Sequence, residues 1–263
     1  MGTFFTLSTS FAVILLVIPG GLCVDIIGGD EVTPHSKPFM ALIKGKNGPV
    51  CGGALIKPNW VLTAAHCDTK KSNVILGAHS WAKKERQQQR FQIAKRIPYP
   101  CYCPNSKEND LMLLQLKKRA KLNKAVDVIQ LPNSGVDPKP ETSCTVAGWG
   151  TTQNKQKKAS STLRAVNVTI INRRTCNDWK HYNGNPNITE NMICAGSRNG
   201  GKDSCFGDSG GPLICNNVMV GITSFGKANK CGVVDGPGIY TRLTKQYVLW
   251  IRKTIGGDLQ TGF

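Results

Sequence analysis

The sequence is poor in acidic and in aromatic residues. Only 16 of its 263 residues are Asp or Glu, against 34 Lys or Arg, and aromatic residues make up 7%. The excess of basic over acidic residues predicts one of two kinds of surface. It is either a solvated surface that keeps the protein soluble or, as we favour, a surface that binds polyanions. No aromatic interleaving or nucleic-acid motif accompanies the basic clusters, so we expect a sulfated proteoglycan partner rather than sequence-specific binding of DNA or RNA. The clusters are Lys83, Lys84 and Arg86; residues 117–119 with Lys121 and Lys124; residues 155–158; and Arg173 with Arg174.

Long apolar runs are missing beyond residue 25. One run, at residues 11–18, is long enough for the apolar part of a secretory signal and too short to cross a bilayer. We therefore expect residues 1–23 to be a signal peptide, no membrane span elsewhere, and a secreted product. The fit to a signal peptide is incomplete, because no Lys or Arg precedes the run.

Helical periodicity is also scarce. Short apolar segments alternate with Gly, Pro and Asn along most of the chain, a rhythm typical of all-β proteins. Only residues 245–253 combine helical apolar spacing with the absence of a breaker before Gly256. The pattern predicts an all-β fold that ends in a helix, and no internal repeat is visible.

Cysteine is abundant by contrast. The chain has 11 cysteines, and Cys23 would leave with the signal peptide. An even number in a secreted domain predicts a disulfide framework, although spacing alone leaves the pairing open. Cys101 and Cys103 stand in a proline-bounded segment that is not expected to form a buried strand.

A glycine-rich stretch at residues 207–212 surrounds Ser209. Such a stretch lets the backbone bend sharply and approach a substrate, although on its own it is as well explained by a turn. A catalytic serine also requires a base, a group that orients the base, and backbone donors for an oxyanion. His66 and Asp110 adjoin apolar segments, and the order His, Asp, Ser is that of chymotrypsin-like triads.

Five segments in order resemble the chymotrypsin family of trypsin-like serine proteases, from Ile26 nearly to the end of the chain. They are Ile26-Ile27-Gly28-Gly29, Leu62-Thr63-Ala64-Ala65-His66-Cys67, Asp110-Leu111-Met112-Leu113, Gly148-Trp149-Gly150 and the stretch around Ser209. The resemblance implies one peptidase domain at residues 26–263, folded as two six-stranded antiparallel β-barrels with a cleft between them. The implied parts are a first barrel at 26–133, a second at 134–244 and a C-terminal helix at 245–255.

The resemblance also implies the chemistry. Ser209 would attack the substrate carbonyl, His66 would take its proton and Asp110 would orient the imidazole, so that an acyl-enzyme forms and water releases it. The backbone N–H groups of Gly207 and Ser209 would hold the oxyanion. The implied enzyme is a serine endopeptidase with no cofactor.

Specificity is implied by Asp203, six residues before Ser209. In the family this position lies at the base of the primary pocket, where a carboxylate pairs with Arg or Lys of a protein substrate. The pocket walls and the edge strand that binds the substrate backbone are implied for Ser224, Phe225, Gly226 and Gly238.

Activation by a dipeptide-removing enzyme is implied as well. Between a signal cut after Cys23 and Ile26 lie only residues 24–25, and Asp25 does not suit trypsin-like activation. This activation dipeptide resembles that of granule proteases of cytotoxic lymphocytes, which implies storage in the lumen of cytolytic granules. The freed amino group of Ile26 would form a buried ion pair with Asp208.

The resemblance implies four disulfides and leaves two cysteines over. Cys101 matches the interchain cysteine of dimeric granule proteases, so we expect a covalent homodimer. The alternative is that the chain resembles granule proteases of the same specificity that lack this cysteine. Cys103 departs from the pattern, and with no further ligand cluster nearby a Cys-x-Cys metal site is not expected. The implied pairs are Cys51–Cys67, Cys144–Cys215, Cys176–Cys194 and Cys205–Cys231.

Smaller features complete the prediction. Asn167 and Asn187 begin N-glycosylation sequons. Ala78 and Gln88 stand where relatives carry calcium ligands, so no metal is expected there. The three histidines other than His66 stand singly among polar neighbours, and we expect them at the surface.

Two functions of other classes remain open. One is a catalytically idle, cationic heparin-binding protein, against which the retention of His66, Asp110, Ser209 and Asp203 argues. The other is a digestive or plasma trypsin-like enzyme, against which the short activation dipeptide argues.

Overall fold

The computed structural model describes residues 26–133, 135, 137–153, 156–227 and 230–256. The expected signal peptide and activation dipeptide lie outside this part of the chain. Within it, no helix combines the length and the apolar character needed to cross a membrane.

The first barrel is closed and consists of six antiparallel strands. A two-residue strand, β1 (Asp30–Glu31), precedes them in the chain. These strands are β2 (Met40–Gly45), β3 (Gly48–Lys57), β4 (Trp60–Thr63), β5 (Asn73–Leu76), β6 (Gln89–Pro98) and β7 (Met112–Leu116). Their order around the barrel is β2-β3-β4-β7-β6-β5, and pairing of β2 with β5 closes the ring.

The second barrel uses six of the next eight strands. The elements in chain order are β8 (Ser143–Gly148), β9 (Thr151–Gln153), β10 (Gln156–Ala159), β11 (Arg164–Ile171), the short helix α1 (Arg173–Cys176), β12 (Met192–Gly196), β13 (Pro212–Cys215), β14 (Val218–Phe225), β15 (Gly238–Arg242) and the helix α2 (Lys245–Thr254). β9 and β10 form a separate hairpin, and pairing of β8 with β11 closes the other six strands. The predicted fold of two six-stranded antiparallel barrels with a C-terminal helix is confirmed.

Period-two patterning explains why these segments form barrel walls. In β11, Val166, Val168 and Ile170 are buried in the core of the second barrel, while Asn167 between them is exposed. Alternate side chains of a strand point to opposite faces, so one face packs inward and the other stays wet. α1 was not predicted, because four residues carry too little periodicity to indicate a helix.

Each end of the described chain packs on the barrel formed by the other half of the sequence. β1 pairs with β11, and Ile26 is fully buried in the core of the second barrel. α2 buries Tyr247 and Ile251 in the first barrel's core, and its N-terminus is capped by Thr244, whose hydroxyl accepts the Tyr247 N–H. The two barrels are therefore held together by both ends of the chain.

The four disulfides of the structure are the pairs that the family resemblance implies. They are Cys51–Cys67, Cys144–Cys215, Cys176–Cys194 and Cys205–Cys231. Cys101 and Cys103 are free and exposed, in a turn before β7.

The prediction that His79 lies at the surface is wrong. His79 is only 7% exposed, and its ring Nε2 lies 2.8 Å from Oε1 of Glu31 in β1. The His79 carbonyl accepts the indole N–H of Trp149 at 3.0 Å. The polar sequence neighbours of His79 gave no sign of burial, because Glu31 and Trp149, which contact it, lie far from it in the sequence.

Candidate active site

His66 is fixed by contacts on both sides of its position in the chain. It follows β4, and the disulfide of its neighbour Cys67 with Cys51 ties this loop to β3. The Thr63 hydroxyl donates to the Gly52 carbonyl at 2.8 Å, which adds a second link to the same strand. The histidine therefore stands on a braced turn rather than on a free loop.

Asp110 contacts both the imidazole and the backbone N–H of His66. The carboxylate is fully buried; its Oδ2 lies 2.7 Å from His66 Nδ1, and its Oδ1 accepts the His66 backbone N–H at 2.9 Å. Ser224 donates a further hydrogen bond to Oδ2 at 2.5 Å. Because an ionised carboxylate only accepts hydrogen bonds, the contact of Asp110 Oδ2 with His66 Nδ1 assigns the proton to Nδ1. Nε2 is then free to act as a base.

Ser209 sits in a loop of the second barrel pressed against the first. Its carbonyl accepts the Gly52 N–H at 2.8 Å. Gly210 has φ of 81°, and a Cβ there would lie 2.1 Å from the Thr63 hydroxyl, so only glycine fits this crossing. Within the described residues no hydrogen bond joins the Ser209 hydroxyl to His66, although both line one cleft; such contacts commonly tighten when substrate binds.

Two backbone N–H groups in this loop have no acceptor among the described residues. They belong to Gly207 and Ser209, whereas the N–H groups of Asp208, Gly210 and Gly211 are all bonded, to Cys205, Thr223 and Asp208 carbonyls respectively. Gly207 has φ of 99°, a backbone conformation that disfavours any side chain. Unpaired donors beside a serine hydroxyl can stabilise an oxyanion.

Asp203 lines the same cleft. It is 2% exposed, its Oδ2 accepts the Gly232 N–H at 2.9 Å, and its Oδ1 is buried with no hydrogen-bond partner. A Cβ at Gly238 would lie 2.7 Å from Oδ1, so glycine is needed beside it. Burial raises the pKa of Asp203 to about 7.

The cleft joins these groups in one cavity of about 340 Å³. It is lined by His66, Ser209, Asp203, Phe225, Gly226 and Gly238 among others. A Cβ added at Gly226 would meet no heavy atom within 4 Å. All the predicted substrate-binding residues line this cavity together with His66 and Ser209, and Asp110 reaches it through its contact with His66.

Asp208, which precedes Ser209 in the same loop, is a third buried carboxylate. It is fully buried and accepts the N–H groups of Gly150 at 2.7 Å and Cys205 at 2.9 Å. No cationic side chain of the described chain pairs with it, and burial raises its pKa to about 6. A positive charge placed beside it would therefore be strongly bound.

Comparison with known proteins decides the family. A family model described as Trypsin matches residues 26–251. The chain belongs to the trypsin family. It is accordingly a serine endopeptidase, a hydrolase.

Individual relatives of this trypsin-family protease agree with that assignment. The chain is 56% identical to bovine (Bos taurus) granzyme A over 94% of its own length and 96% of the relative's. It is 43% identical to kallikrein-8 of Rattus norvegicus, covering 88% of this chain and 86% of that one. A solved structure of neuropsin, a serine protease expressed in the limbic system of mouse brain, matches with a TM-score of 0.79 and 41% identity over 87% of this chain and 99% of that one.

Sequence reasoning missed several contacts in the protease's site. Ser224 was expected only in a substrate-binding strand, but its hydroxyl also bonds Asp110, and Thr241 donates to the Asp110 carbonyl at 3.1 Å. Gly232, which holds Asp203, was not predicted at all. These partners come from the second barrel, so no local pattern in the sequence could have indicated them.

Proposed function

We propose that this protease cleaves protein substrates after Arg or Lys, with Ser209 as nucleophile. The observation that carries the proposal is the unpartnered Oδ1 of Asp203, buried in the cleft that also contains His66 and Ser209. A guanidinium or ammonium group would supply the donors that this oxygen lacks. Leaving such a buried acceptor unpaired is costly, so neutral side chains should be rejected.

The proposed reaction uses the arrangement of His66, Asp110 and Ser209. The Ser209 hydroxyl attacks the scissile carbonyl as its proton passes to Nε2 of His66, and Asp110 stabilises the imidazolium that forms. The N–H groups of Gly207 and Ser209 receive the oxyanion. His66 then gives the proton to the leaving amine as the scissile C–N bond breaks and the acyl-enzyme forms. A water molecule, deprotonated by His66, attacks the ester carbonyl, and the proton returns to Ser209 as the carboxylic acid product is released.

A panel of matched peptides tests this specificity. The peptides differ only in the residue before the scissile bond, and the protein begins at Ile26. We expect cleavage after Arg and Lys to exceed cleavage after Leu, Phe or Glu by roughly 10⁴-fold in kcat/KM. Preference for an apolar residue would contradict the proposal, and no cleavage by folded protein would favour the idle cationic binding protein instead.

Binding of cations in the cleft should depend on pH through Asp203. Its raised pKa of about 7 means that the carboxyl is neutral in acid, so affinity for benzamidinium should fall about tenfold for each pH unit below 7 and level off above. In the unliganded protein the folded state holds this proton more tightly than the unfolded state, whose pKa is near 3.8. This carboxyl's contribution to stability therefore declines as the pH rises from about 4 to about 7. Inhibition constants that stay flat between about pH 5 and 8 would contradict the assignment.

Activation should require a free amino group on Ile26. Ile26 and Asp208 are both fully buried, and a new α-ammonium would compensate the buried carboxylate. We expect protein that retains residues 24–25 to have kcat/KM reduced by at least roughly a hundredfold relative to protein starting at Ile26. Equal activity of the two forms, each verified by mass spectrometry, would contradict this route of activation.

A granule protease resembling granzyme A is the biological role we propose, with secretion and storage in cytolytic granules. The support is the 56% identity to bovine granzyme A and the short predicted activation dipeptide. A granzyme K-like protease is the alternative, and the exposed Cys101 favours the granzyme A-like role. Sulfated proteoglycan is the proposed storage partner, and the exposed Asn167 and Asn187 are proposed glycan acceptors.

A disulfide-linked homodimer through Cys101 is also proposed. The thiol is free and exposed, and the turn that carries it is fixed by the Asn109 amide, which donates to the Cys101 carbonyl at 2.8 Å. The wild-type protein should migrate as a dimer on a non-reducing gel and Cys101→Ser as a monomer, with Cys103→Ser as the matched control. Dimers that survive Cys101→Ser but disappear with Cys103→Ser would contradict the choice of cysteine.

A further inference from the structure

The turn before β7 carries both free cysteines of the described chain, Cys101 and Cys103. The other described cysteines are all joined in the four disulfides. Both free residues are exposed, whereas Tyr102 between them is half-buried. Alternate residues of an extended segment face the same side, so this burial pattern indicates that the two thiols face solvent together.

The two cysteines are near enough in the chain to be joined to each other. Cα atoms two residues apart are separated by at most about 7 Å. Disulfides span Cα distances of roughly 4.4 to 6.8 Å. A disulfide between Cys101 and Cys103 therefore requires only a local adjustment of the backbone between them. Both thiols are free in the structure, which corresponds to the reduced form of the pair.

Contacts on both sides hold this segment in place. The Cys101 carbonyl accepts the side-chain amide N–H of Asn109 at 2.8 Å, and the Asn109 amide oxygen accepts the Tyr247 hydroxyl at 2.6 Å. The Cys103 N–H donates to the Glu108 carbonyl at 3.0 Å. The backbone at both cysteines is thus attached to α2 and to the residues that lead into β7, which keeps the pair together at the surface.

The sulfur of Cys103 lies among hydrogen-bond donors. The Ser106 hydroxyl and the backbone N–H groups of Ser106 and Asn105 bond to it, and these bonds hold the pKa of the Cys103 thiol below its usual value. The thiolate, not the thiol, attacks disulfides. Cys103 is therefore suited to act as the nucleophile of the pair.

We propose that Cys103 is a resolving cysteine, which breaks a disulfide between Cys101 and another molecule by forming an intrachain disulfide with Cys101. The Cys103 thiolate attacks the Cys101 sulfur, and the intrachain S–S bond forms as the intermolecular S–S bond breaks. The electron pair leaves on the other molecule's sulfur, which then takes a proton from water. One disulfide is consumed and one is made, so the step needs no oxidant or reductant.

In the proposed homodimer, the leaving group would be the partner's Cys101. One exchange separates the dimer into a chain with an intrachain disulfide and a chain with two free thiols. The attacking thiol of Cys103 is on the same chain as its target, and its effective concentration is about millimolar, so dilution of the protein favours separation. This application rests on the homodimer proposed above, whereas the resolving reaction itself requires only some disulfide on Cys101.

The first experiment uses glutathione disulfide as the probe and needs no dimer. Protein whose free cysteines have been mildly reduced is treated with the probe at about pH 8, and its peptides are mapped without reduction. We expect wild type to form the Cys101–Cys103 disulfide and to retain no glutathione. Cys103→Ser and Cys101→Ser should each retain one glutathione. Glutathione retained on wild type, with no intrachain disulfide, would overturn the proposal.

The second experiment follows oxidised dimers after dilution without reductant. We expect the wild-type dimer to separate at least roughly tenfold faster than the Cys103→Ser dimer, which has no free thiol among its described residues. N-ethylmaleimide, added to stop the reaction, should label half of the monomers on both cysteines and leave the other half with the intrachain disulfide. Equal persistence of the two dimers would overturn the proposal. If neither protein forms a dimer, the homodimer is contradicted and the glutathione experiment decides on the resolving cysteine.

A pH profile distinguishes an activated thiol from one that is merely accessible. Ser106→Ala removes the hydroxyl that bonds to the Cys103 sulfur, so the pKa of this thiol should rise toward its usual value. Exchange should then slow by roughly severalfold near pH 7 and change little near pH 9. Asn105→Ala keeps its backbone N–H and is the matched control, and thermal unfolding verifies that both variants are folded. Identical profiles for wild type and Ser106→Ala would overturn the assignment of Cys103 as the activated nucleophile.

Discussion

Replacing Ser209 with alanine is expected to lower kcat about a millionfold while leaving substrate affinity and thermal stability nearly unchanged. The hydroxyl is the only proposed nucleophile, and in this structure it makes no hydrogen bond within the described residues that folding would lose. The measurement is kcat for an Arg peptide, together with the melting temperature of each protein.

The other triad residues supply the control for Ser209→Ala. Because the triad acts as a unit, Ser209→Ala with His66→Ala should be no slower than either single variant by more than a few fold. A conservative substitution of Ser204 serves as a second control. Ser204 lines the active-site cleft, and its hydroxyl lies 3.2 Å from that of Tyr240. This substitution should leave the mechanism intact. Residual turnover within about a hundredfold of wild type after Ser209→Ala would contradict the assignment of the nucleophile.

Asp203→Asn is expected to reduce kcat/KM for Arg and Lys peptides by about 10⁴-fold. The substitution keeps the size of the side chain and an oxygen that can accept the Gly232 N–H, but it removes the negative charge that we propose pairs with a cationic substrate. Cleavage after neutral residues should change little, so the ratio of the two activities is the quantity to measure.

A matched control exists at the rim of the cleft. Asp235 is an exposed carboxylate that pairs with Lys227, one of the cleft's lining residues. Asp235→Asn should leave the Arg and Lys preference within about threefold of wild type, since exposed ion pairs contribute little. An equal loss of preference in both variants would mean that the general charge of the cleft, not Asp203, determines specificity.

The fold could be predicted because its signals are local. Alternating burial in strands such as β11 and the helical spacing of α2 are both visible in short windows of sequence. The motif segments around His66, Asp110 and Ser209 supplied the family and, through it, the barrel topology.

What the sequence could not predict are contacts between distant segments. Burial of His79 depends on β1 and Trp149, and the support of Asp110 by Ser224 depends on how the two barrels meet. Side chains brought together by tertiary structure leave no periodic pattern in the chain.

Active-site titration with 4-nitrophenyl 4-guanidinobenzoate tests the central claim most directly. The Ser209 oxygen would attack the ester carbonyl, 4-nitrophenolate would leave, and the guanidinium of the retained acyl group would reach Asp203. The account predicts a burst of one nitrophenolate per chain starting at Ile26, with the acyl group mapped to Ser209 by mass spectrometry and no burst in Asp203→Asn. No burst in the folded wild type, or an adduct on another residue, would contradict it.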